Sequence, residues 1–419
     1  MRRILFSILL IAVLAAAALF FATHLTIPAE QQTQRTFAPD VVRRGGEMAA
    51  LGYCASCHTA GNGKPFAGGR PLATPFGTIY GTNITPDAET GIGLWSQAAF
   101  NRAMRDGVDR AGRDLYPAFP YDHFTKLSED DLAALYAFLM ARAPVHAPNR
   151  TNALAFPYSL RPLLVGWKLL YLNKGPVSSD QTKSAQWTGG AYLVEALSHC
   201  GACHTPRDRL GAEIASRHFD GGEAEDWWAP PLNRTSPSPV PWSEESLFNY
   251  LRSWDAGHGG AVGPMAPVVA ALATIPEQNV RAIAAYIAST LAKPAESEKH
   301  VEDNQTQAMQ ANPQGAQLYA GSCATCHETG AHVPFTVASL GQHTSVHGPD
   351  PRNVIHVILH GIQPPEGTVG AIMPAFADTL NDAQIAEIVS YLRARFSGGP
   401  QWSNIAGEIA RIRRQETSP

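Results

Sequence analysis

Three short stretches carry the chemistry of this chain: Cys54-Ala55-Ser56-Cys57-His58, Cys200-Gly201-Ala202-Cys203-His204 and Cys323-Ala324-Thr325-Cys326-His327. Each reads C-x-x-C-H, the attachment signature of a c-type haem. Two thiols one helical turn apart can form thioethers to the two vinyl groups of a single porphyrin. The histidine that follows then stands next to the iron. A lone C-x-x-C is also compatible with a redox pair or half of a zinc site. Here all 6 cysteines fall into the three patterns, and each pattern ends in His. Zinc would want a second ligand pair close behind each, and none recurs. The expectation is three covalently bound haems c, held through Cys54, Cys57, Cys200, Cys203, Cys323 and Cys326, with His58, His204 and His327 as proximal iron ligands.

The sixth ligand must come from elsewhere. A methionine thioether is the usual partner of His in an electron carrier, and it raises the potential. Met265 follows His258-Gly259-Gly260-Ala261-Val262-Gly263-Pro264, and Met373 sits in Gly370-Ala371-Ile372-Met373-Pro374. Both read as loop methionines, away from any helical stripe. His343, His347, His356 and His360 are rivals to Met373 by type, not by position. The first site differs. Its loop, Tyr116-Pro117-Ala118-Phe119-Pro120-Tyr121, has a phenylalanine where sulfur is expected. Met104 on the preceding helix is the first choice and His123 the alternative, each also open to an ordinary core or hydrogen-bonding role.

Elements must hold these groups, and they recur in one order. A short helix leads into each motif: Gly45 to Tyr53, Gly190 to Val194, Gly315 to Tyr319. Gly46 is expected to let the first of them cross a neighbour closely. Thr74 to Asp87 is too rich in Gly, Pro and Asn for a helix and is expected to wrap the proximal side of the first haem. Trp95 to Arg105 reads as a helix capped by Ser96, and Asn353 to His360 as one ending at Gly361. Each unit closes with a capped apolar helix, signalled by Ser128 with Asp131, Thr274 with Glu277, and Asn381 with Gln384. Tyr136, Tyr286 and Tyr391 recur in these closing helices, as expected of repeated domains. Trp227, Trp228 and Trp242 are expected at the edge of the second macrocycle.

The resulting division is 1–30, an N-terminal membrane anchor or uncleaved signal-like segment; 40–150, 181–295 and 313–398, three haem domains; 151–180, a bridge; 296–312, a polar linker; and 399–419, a tail. The apolar run Ile4 to Thr23 would be about 30 Å long as a helix, the thickness of a bilayer core. Its length favours an anchor over a cleaved signal peptide. Arg2 and Arg3 would keep its start cytoplasmic and send the rest across. In the bridge, Leu163 to Leu172 is too short to span a bilayer. With Trp167, Lys168 and Tyr171 it suits a membrane interface, a partner groove or inter-domain packing. Lys and Arg number 32 against 36 Asp and Glu, which argues against nucleic acid as a partner.

These motifs, the Thr74 to Asp87 loop, the Leu163 to Leu172 bridge and the Met265 and Met373 loops resemble the tri-haem cytochrome c subunit of membrane-bound periplasmic dehydrogenases, over nearly the whole chain. The resemblance implies a mainly α fold, three tandem class I cytochrome c-like domains after one N-terminal transmembrane helix. It places the chain at the bacterial inner membrane with its haem domains on the periplasmic side. Alcohol, gluconate and fructose dehydrogenases pair such a subunit with a quinoprotein or flavoprotein. Their first unit carries Pro-Ala-Met-Pro, and Phe119 breaks that pattern. Pro117 to Phe124 looks more like cytochromes accompanying molybdenum hydroxylases, whose partners are a molybdopterin large subunit and a 2Fe–2S small subunit acting on aldehydes or N-heterocycles. The implied function is transfer of electrons from such a catalytic subunit to membrane ubiquinone. The alternatives are a quinoprotein alcohol dehydrogenase as partner, or a haem enzyme with an open distal site on the first iron. No catalytic residue of its own is expected.

Overall fold

A computed structural model describes residues 24–30, 36–178, 180–291, 303–328, 339–363 and 372–416. The apolar run Ile4 to Thr23 lies outside the described residues. Among those described, no helix is long and apolar enough to cross a membrane. The chain is mainly helical and divides into two compact units. One comprises Met1–Ser179 with Glu195–His199 and Arg209–Ala212, the other Asp180–Val194, Cys200–Asp208 and Glu213–Pro419.

In the first unit α1 (Pro39–Leu51) leads to the Cys54 motif. Proline at its first turn suits a position whose N–H has no helical partner. Strands β1 (Pro71–Thr74) and β2 (Gly77–Tyr80) follow, with Leu72 opposite Ile79. Helix α2 (Gln97–Asp106) starts at Ser96, whose side chain accepts from the Ala99 N–H, and stops at Gly107, φ 60°. Helix α3 (Glu129–Met140) is capped by Ser128. The Ser128 hydroxyl accepts from the Asp131 N–H at 3.2 Å and donates to its carboxylate at 3.1 Å, and that carboxylate also pairs with Arg44 of α1 at 2.7 Å. β3 (Ala153–Leu154) completes an antiparallel sheet of order β1-β2-β3. The bridge forms α4 (Leu163–Tyr171), with Leu164 and Trp167 buried.

In the second unit α5 (Ala185–Tyr192) leads toward the Cys200 motif. A hairpin of β4 (Gly222–Ala224) and β5 (Trp227–Ala229) follows the motif. α6 (Glu277–Thr290) closes this segment. Its start has no side-chain cap: Thr274 instead donates its hydroxyl to the Ala271 carbonyl, tying off the preceding helix. α7 (Pro313–Ser322), α8 (Arg352–His360) and α9 (Asp382–Phe396) build the last core, and α9 has the expected Asn381–Gln384 capping box. Gln305–Ala311 is helical with Ala308 buried, and Asp303 holds Arg395 at 2.8 Å. The tail is also structured: α10 (Ile405–Glu416) buries Ile405, Ile409 and Ile412 in the same core as Tyr319, Ile355 and Val389.

One packing device appears three times. A Cβ on Gly45 of α1 would overlap the Ala134 carbonyl of α3 and lie 2.6 Å from the Phe138 Cβ. Gly190 of α5 meets the Ala282 carbonyl and the Tyr286 Cβ of α6 in the same way. Gly315 of α7 meets the Glu387 carbonyl and the Tyr391 Cβ of α9. Absence of a side chain lets each leading helix touch the backbone of its closing helix. The crossing glycine of the first pair is therefore Gly45, not Gly46, which faces only the edge of the Phe138 ring at 3.2 Å. The register also makes Phe138, not Tyr136, the counterpart of Tyr286 and Tyr391.

Candidate haem-attachment sites

At the first motif the leading helix breaks at Tyr53, whose φ of 54° is left-handed. A new one-turn helix, Cys54–His58, then presents both thiols and the imidazole. The His58 ring is held by its far nitrogen: Nδ1 lies 2.6 Å from the Thr82 carbonyl oxygen. A carbonyl can only accept, so Nδ1 carries the proton and Nε2 keeps its lone pair for a metal. The Thr74 to Asp87 loop thus lies against the His58 ring through Thr82. Two glycines let it approach. A Cβ on Gly81 would overlap the Cys57 carbonyl, and one on Gly68, φ 79°, would press on Asn83. Asn83 is buried and nails the loop down: its side-chain amide donates to the Thr90 hydroxyl and the Val145 carbonyl, while its oxygen accepts from Thr85.

The second motif repeats this design. His199, φ 38°, breaks the chain before Cys200, and His204 donates from Nδ1 to the Pro230 carbonyl at 2.7 Å. Gly222 of β4 fits against the Cys203 carbonyl, and the Gly221 N–H donates to the His204 carbonyl at 2.9 Å. In the third motif α7 runs straight to Cys323, and Ala324–His327 forms the helical turn. Here His327 Nδ1 is buried without a hydrogen-bond partner among the described residues.

The distal candidates are spread unevenly. Met104 is 6% exposed on α2, in a core face with Phe100 and Ala103. His123 is buried on the short helix Tyr121–Phe124, and its Nδ1 lies 2.9 Å from the Glu195 carbonyl oxygen. Phe119 is absorbed by an aromatic cluster. Its ring is 5.4 Å from Phe124 and 6.5 Å from Tyr121, which contacts Trp167 of the bridge edge-on. The sequence showed a missing sulfur here but not that its replacement anchors α4. Met265 is not in a loop: it opens the helix Met265–Leu272, directly after the Gly263-Pro264 turn. Gly263 (φ 55°) packs on the Trp227 ring. Met373 pairs with Ile362 through two backbone hydrogen bonds, 2.9 and 3.0 Å, and its side chain packs against the core of α7, α8 and α9, as Cys323 and Ala324 also do. Of the rival histidines, His347 holds the Gly341 carbonyl, and His356 turns to the β4–β5 hairpin, stacked on Trp227 at 4.6 Å. Trp242 lies on His258, its ring 3.5 Å away.

The donor set fits haem c better than zinc or a redox pair. The six thiols form no disulfide. Burial, helped by the neighbouring Cys57, pushes the Cys54 thiol up to about 12, and burial pushes Cys323 to about 11. Such thiols are poor thiolate ligands or nucleophiles. A thioether has no charge, so the same burial does not oppose it. Burial also holds His58, His204 and His327 below the usual imidazole range, neutral and ready to coordinate.

Residues 310–392 match the family described as cytochrome c oxidase, cbb3-type, subunit III. Over 387 residues the chain is 45% identical to a nicotinate dehydrogenase subunit of Pseudomonas putida, covering 89% of this chain but 32% of that protein. It therefore spans about a third of that relative's length. The gluconate 2-dehydrogenase cytochrome c subunit of Pantoea cypripedii is 37% identical over 401 residues, 90% of each chain. The fructose dehydrogenase cytochrome subunit of Gluconobacter japonicus is 34% identical over 403 residues, 89% of this chain and 82% of the relative. Matches of that extent, joined to C-x-x-C-H turns whose first two histidines are tethered through Nδ1, lead to one conclusion: the chain belongs to the family of cytochrome c subunits of dehydrogenases, electron-transfer proteins that carry covalent haem c.

Proposed function

We propose that this chain carries three haems c and conducts electrons from a catalytic dehydrogenase subunit to membrane ubiquinone. The observation that carries the count is the threefold crossing at Gly45, Gly190 and Gly315, each leading helix feeding one C-x-x-C-H turn. When bound, each haem supplies one-electron chemistry at its iron. The chain's own residues do the rest. Cys54 with Cys57, Cys200 with Cys203 and Cys323 with Cys326 fix each ring covalently. His58, His204 and His327 supply the proximal nitrogens, and Met265 and Met373 the distal sulfurs at the second and third sites. At the first site Met104 and His123 compete. The Nδ1 contact of His123 with a backbone carbonyl resembles those of His58 and His204, which supports the histidine.

The partner reading is a molybdopterin large subunit with a 2Fe–2S small subunit. Its support is the 45% identity to a subunit of nicotinate dehydrogenase, nicotinate being an N-heterocycle. Identity to the gluconate and fructose dehydrogenase subunits keeps a quinoprotein or flavoprotein partner as the second reading.

Membrane seating draws on the first unit. Its α4 is two-faced: Trp167 is buried, whereas Leu169 (84%), Leu163 and Leu170 are exposed, with Phe156 (81%) on the approach. Asp114 accepts from Lys168 of α4 at 2.6 Å and also holds His24 at 3.2 Å. The residue that follows the apolar run Ile4 to Thr23 is thus tied to the helix that exposes leucines. Both features suit one lipid surface.

Affinity purification of the tagged chain from its native membrane tests the partner, with haem counted per chain by mass spectrometry. A molybdopterin subunit and three haem masses are expected. A co-purifying quinoprotein selects the second reading, and fewer haems overturns the count. Substrate oxidation by the purified chain alone would refute the electron-carrier role.

A further inference from the structure

The β4–β5 hairpin touches both ligand sides of the second site, and it is gripped from outside by α8. Asn353 of α8 is 7% exposed. Its Oδ1 accepts from the Trp228 N–H at 2.9 Å, and its Nδ2 donates to the Trp228 carbonyl at 2.8 Å. One side-chain amide thus pairs with β5 as a further strand would. Two residues on, the Pro230 carbonyl accepts from His204 Nδ1. One residue back, Trp227 stacks on His356 of α8, planes 14° apart, and supports Gly263 just before Met265. The other strand is jammed against the motif itself through Gly222 and the Cys203 carbonyl. Between these two anchors β5 has no freedom to slide without moving the Pro230 oxygen.

We propose that Asn353, which lies in the third haem segment, is a positioning residue of the second haem: its clamp on Trp228 fixes the carbonyl that orients and polarises His204. A proximal imidazole donating a strong Nδ1 hydrogen bond gives more electron density to the metal and favours ferric iron. Loosening the clamp should weaken that bond and raise the potential of the second haem. Docking of the third segment on the hairpin thereby sets the driving force of its neighbour. The inference rests on the reading that His204 ligates a haem bound at Cys200 and Cys203.

The test uses the full-length holoprotein. Asn353→Leu keeps the side-chain size and removes both bonds. Asn353→Asp keeps the acceptor for the Trp228 N–H and loses the donor. Spectroelectrochemical titration should show one of the resolved potentials rising in the Leu variant and rising less in the Asp variant, the others unmoved. Arg352→Gln is the control. It removes the ion pairs to Glu223, Asp226 and Asp350 but leaves the clamp, and should not move the potential. An unchanged potential in both Asn353 variants, or an equal rise in Arg352→Gln, overturns the proposal. If the Leu variant does not accumulate, the Asp variant alone decides. Peptide mass mapping of the wild type separates the two levels: unmodified Cys200 and Cys203 would remove the underlying haem assignment, whereas a haem there with an immobile potential removes only the role of Asn353.

Discussion

The Cys54 and Cys200 sites share a proximal half and differ in the distal half. In both, a left-handed residue, Tyr53 or His199, breaks the chain before the first thiol. In both, the motif histidine donates from Nδ1 to a carbonyl of the loop that follows, Thr82 or Pro230. The candidate distal residues differ. The candidate for the second site, Met265, stands at a helix start just after Gly263, which packs on Trp227. The first offers Phe119, drawn into a cluster with Tyr121 and Trp167, and leaves Met104 and His123 to compete. The proximal half is set by residues that follow closely on the thiols in sequence, so it repeats. The candidate distal residues come from elements remote in sequence from the thiols, and these differ between the two sites.

Both sites hang on the shared helix crossing, where the largest effect is expected. Gly45→Val, Gly190→Val or Gly315→Val forces a side chain into a partner backbone. Each should destabilise its helix pair by about 3 kcal/mol or more. Gly46→Val meets only a ring edge and should be far milder. Thermal unfolding followed by circular dichroism ranks the four, and equal losses at Gly45 and Gly46 would contradict the crossing.

Next come the distal ligands. Met265→Ala and Met373→Ala should each lower one haem potential and abolish one sulfur-to-iron charge-transfer band, with thioethers intact. At the first site, only one of His123→Ala and Met104→Ala should disturb the oxidised spectrum. A spectrum disturbed only by the His123 change means bis-His ligation. If neither change disturbs it, an open first iron and the haem-enzyme alternative gain ground.

A smaller effect depends on pH. In the second unit burial holds His347 and His356 below the ordinary imidazole range. The unfolded chain therefore binds protons near pH 6.5 that the folded chain refuses, so stability falls as pH drops below that value. The loss should continue until the lowered folded pKa values are reached. His356→Gln and His347→Gln should flatten this acid limb in urea unfolding series between pH 5 and 7, while slightly weakening the protein at neutral pH. An unaltered limb in the double variant would assign it elsewhere.

The smallest effects test the caps. Asn381→Ala removes a formed capping box and should destabilise the second unit by about 1 kcal/mol. Thr274→Ala touches no helix start and should change stability by only a few tenths, in contrast to what its spacing to Glu277 suggests. Chemical denaturation midpoints distinguish the two.

Much of this was readable from the chain. The motifs, the Ser96 and Asn381 caps, the leading and closing helices and the proximal loop all follow from local spacing. What escaped depends on facing. Gly45 and Gly46 are adjacent, and about 100° of helix rotation decides which of them meets the partner. The same geometry misaligned Tyr136 with Tyr286 and Tyr391. Met265 reads as a loop residue because Gly263 and Pro264 precede it, yet proline can stand just before a helix as readily as inside a turn. The linker and tail looked polar because each buries only a narrow stripe: Ala308 in one, and Ile405, Ile409 and Ile412 in the other. The Asn353 clamp joins residues 125 positions apart, which no local pattern announces.

That stripe on α10 bears on how the protein is made. Ile405, Ile409 and Ile412 close the same core as Tyr319, the residue that leads toward Cys323. A chain emerging from its N-terminus exposes Cys323 and Cys326 well before it delivers the residues that bury Tyr319. During synthesis there is therefore an interval in which Cys323 and Cys326 have emerged while the core around Tyr319 is still open. Docking of α10 closes that core, so the helix leading to Cys323 gains its full burial only after the residues of α10 have been added.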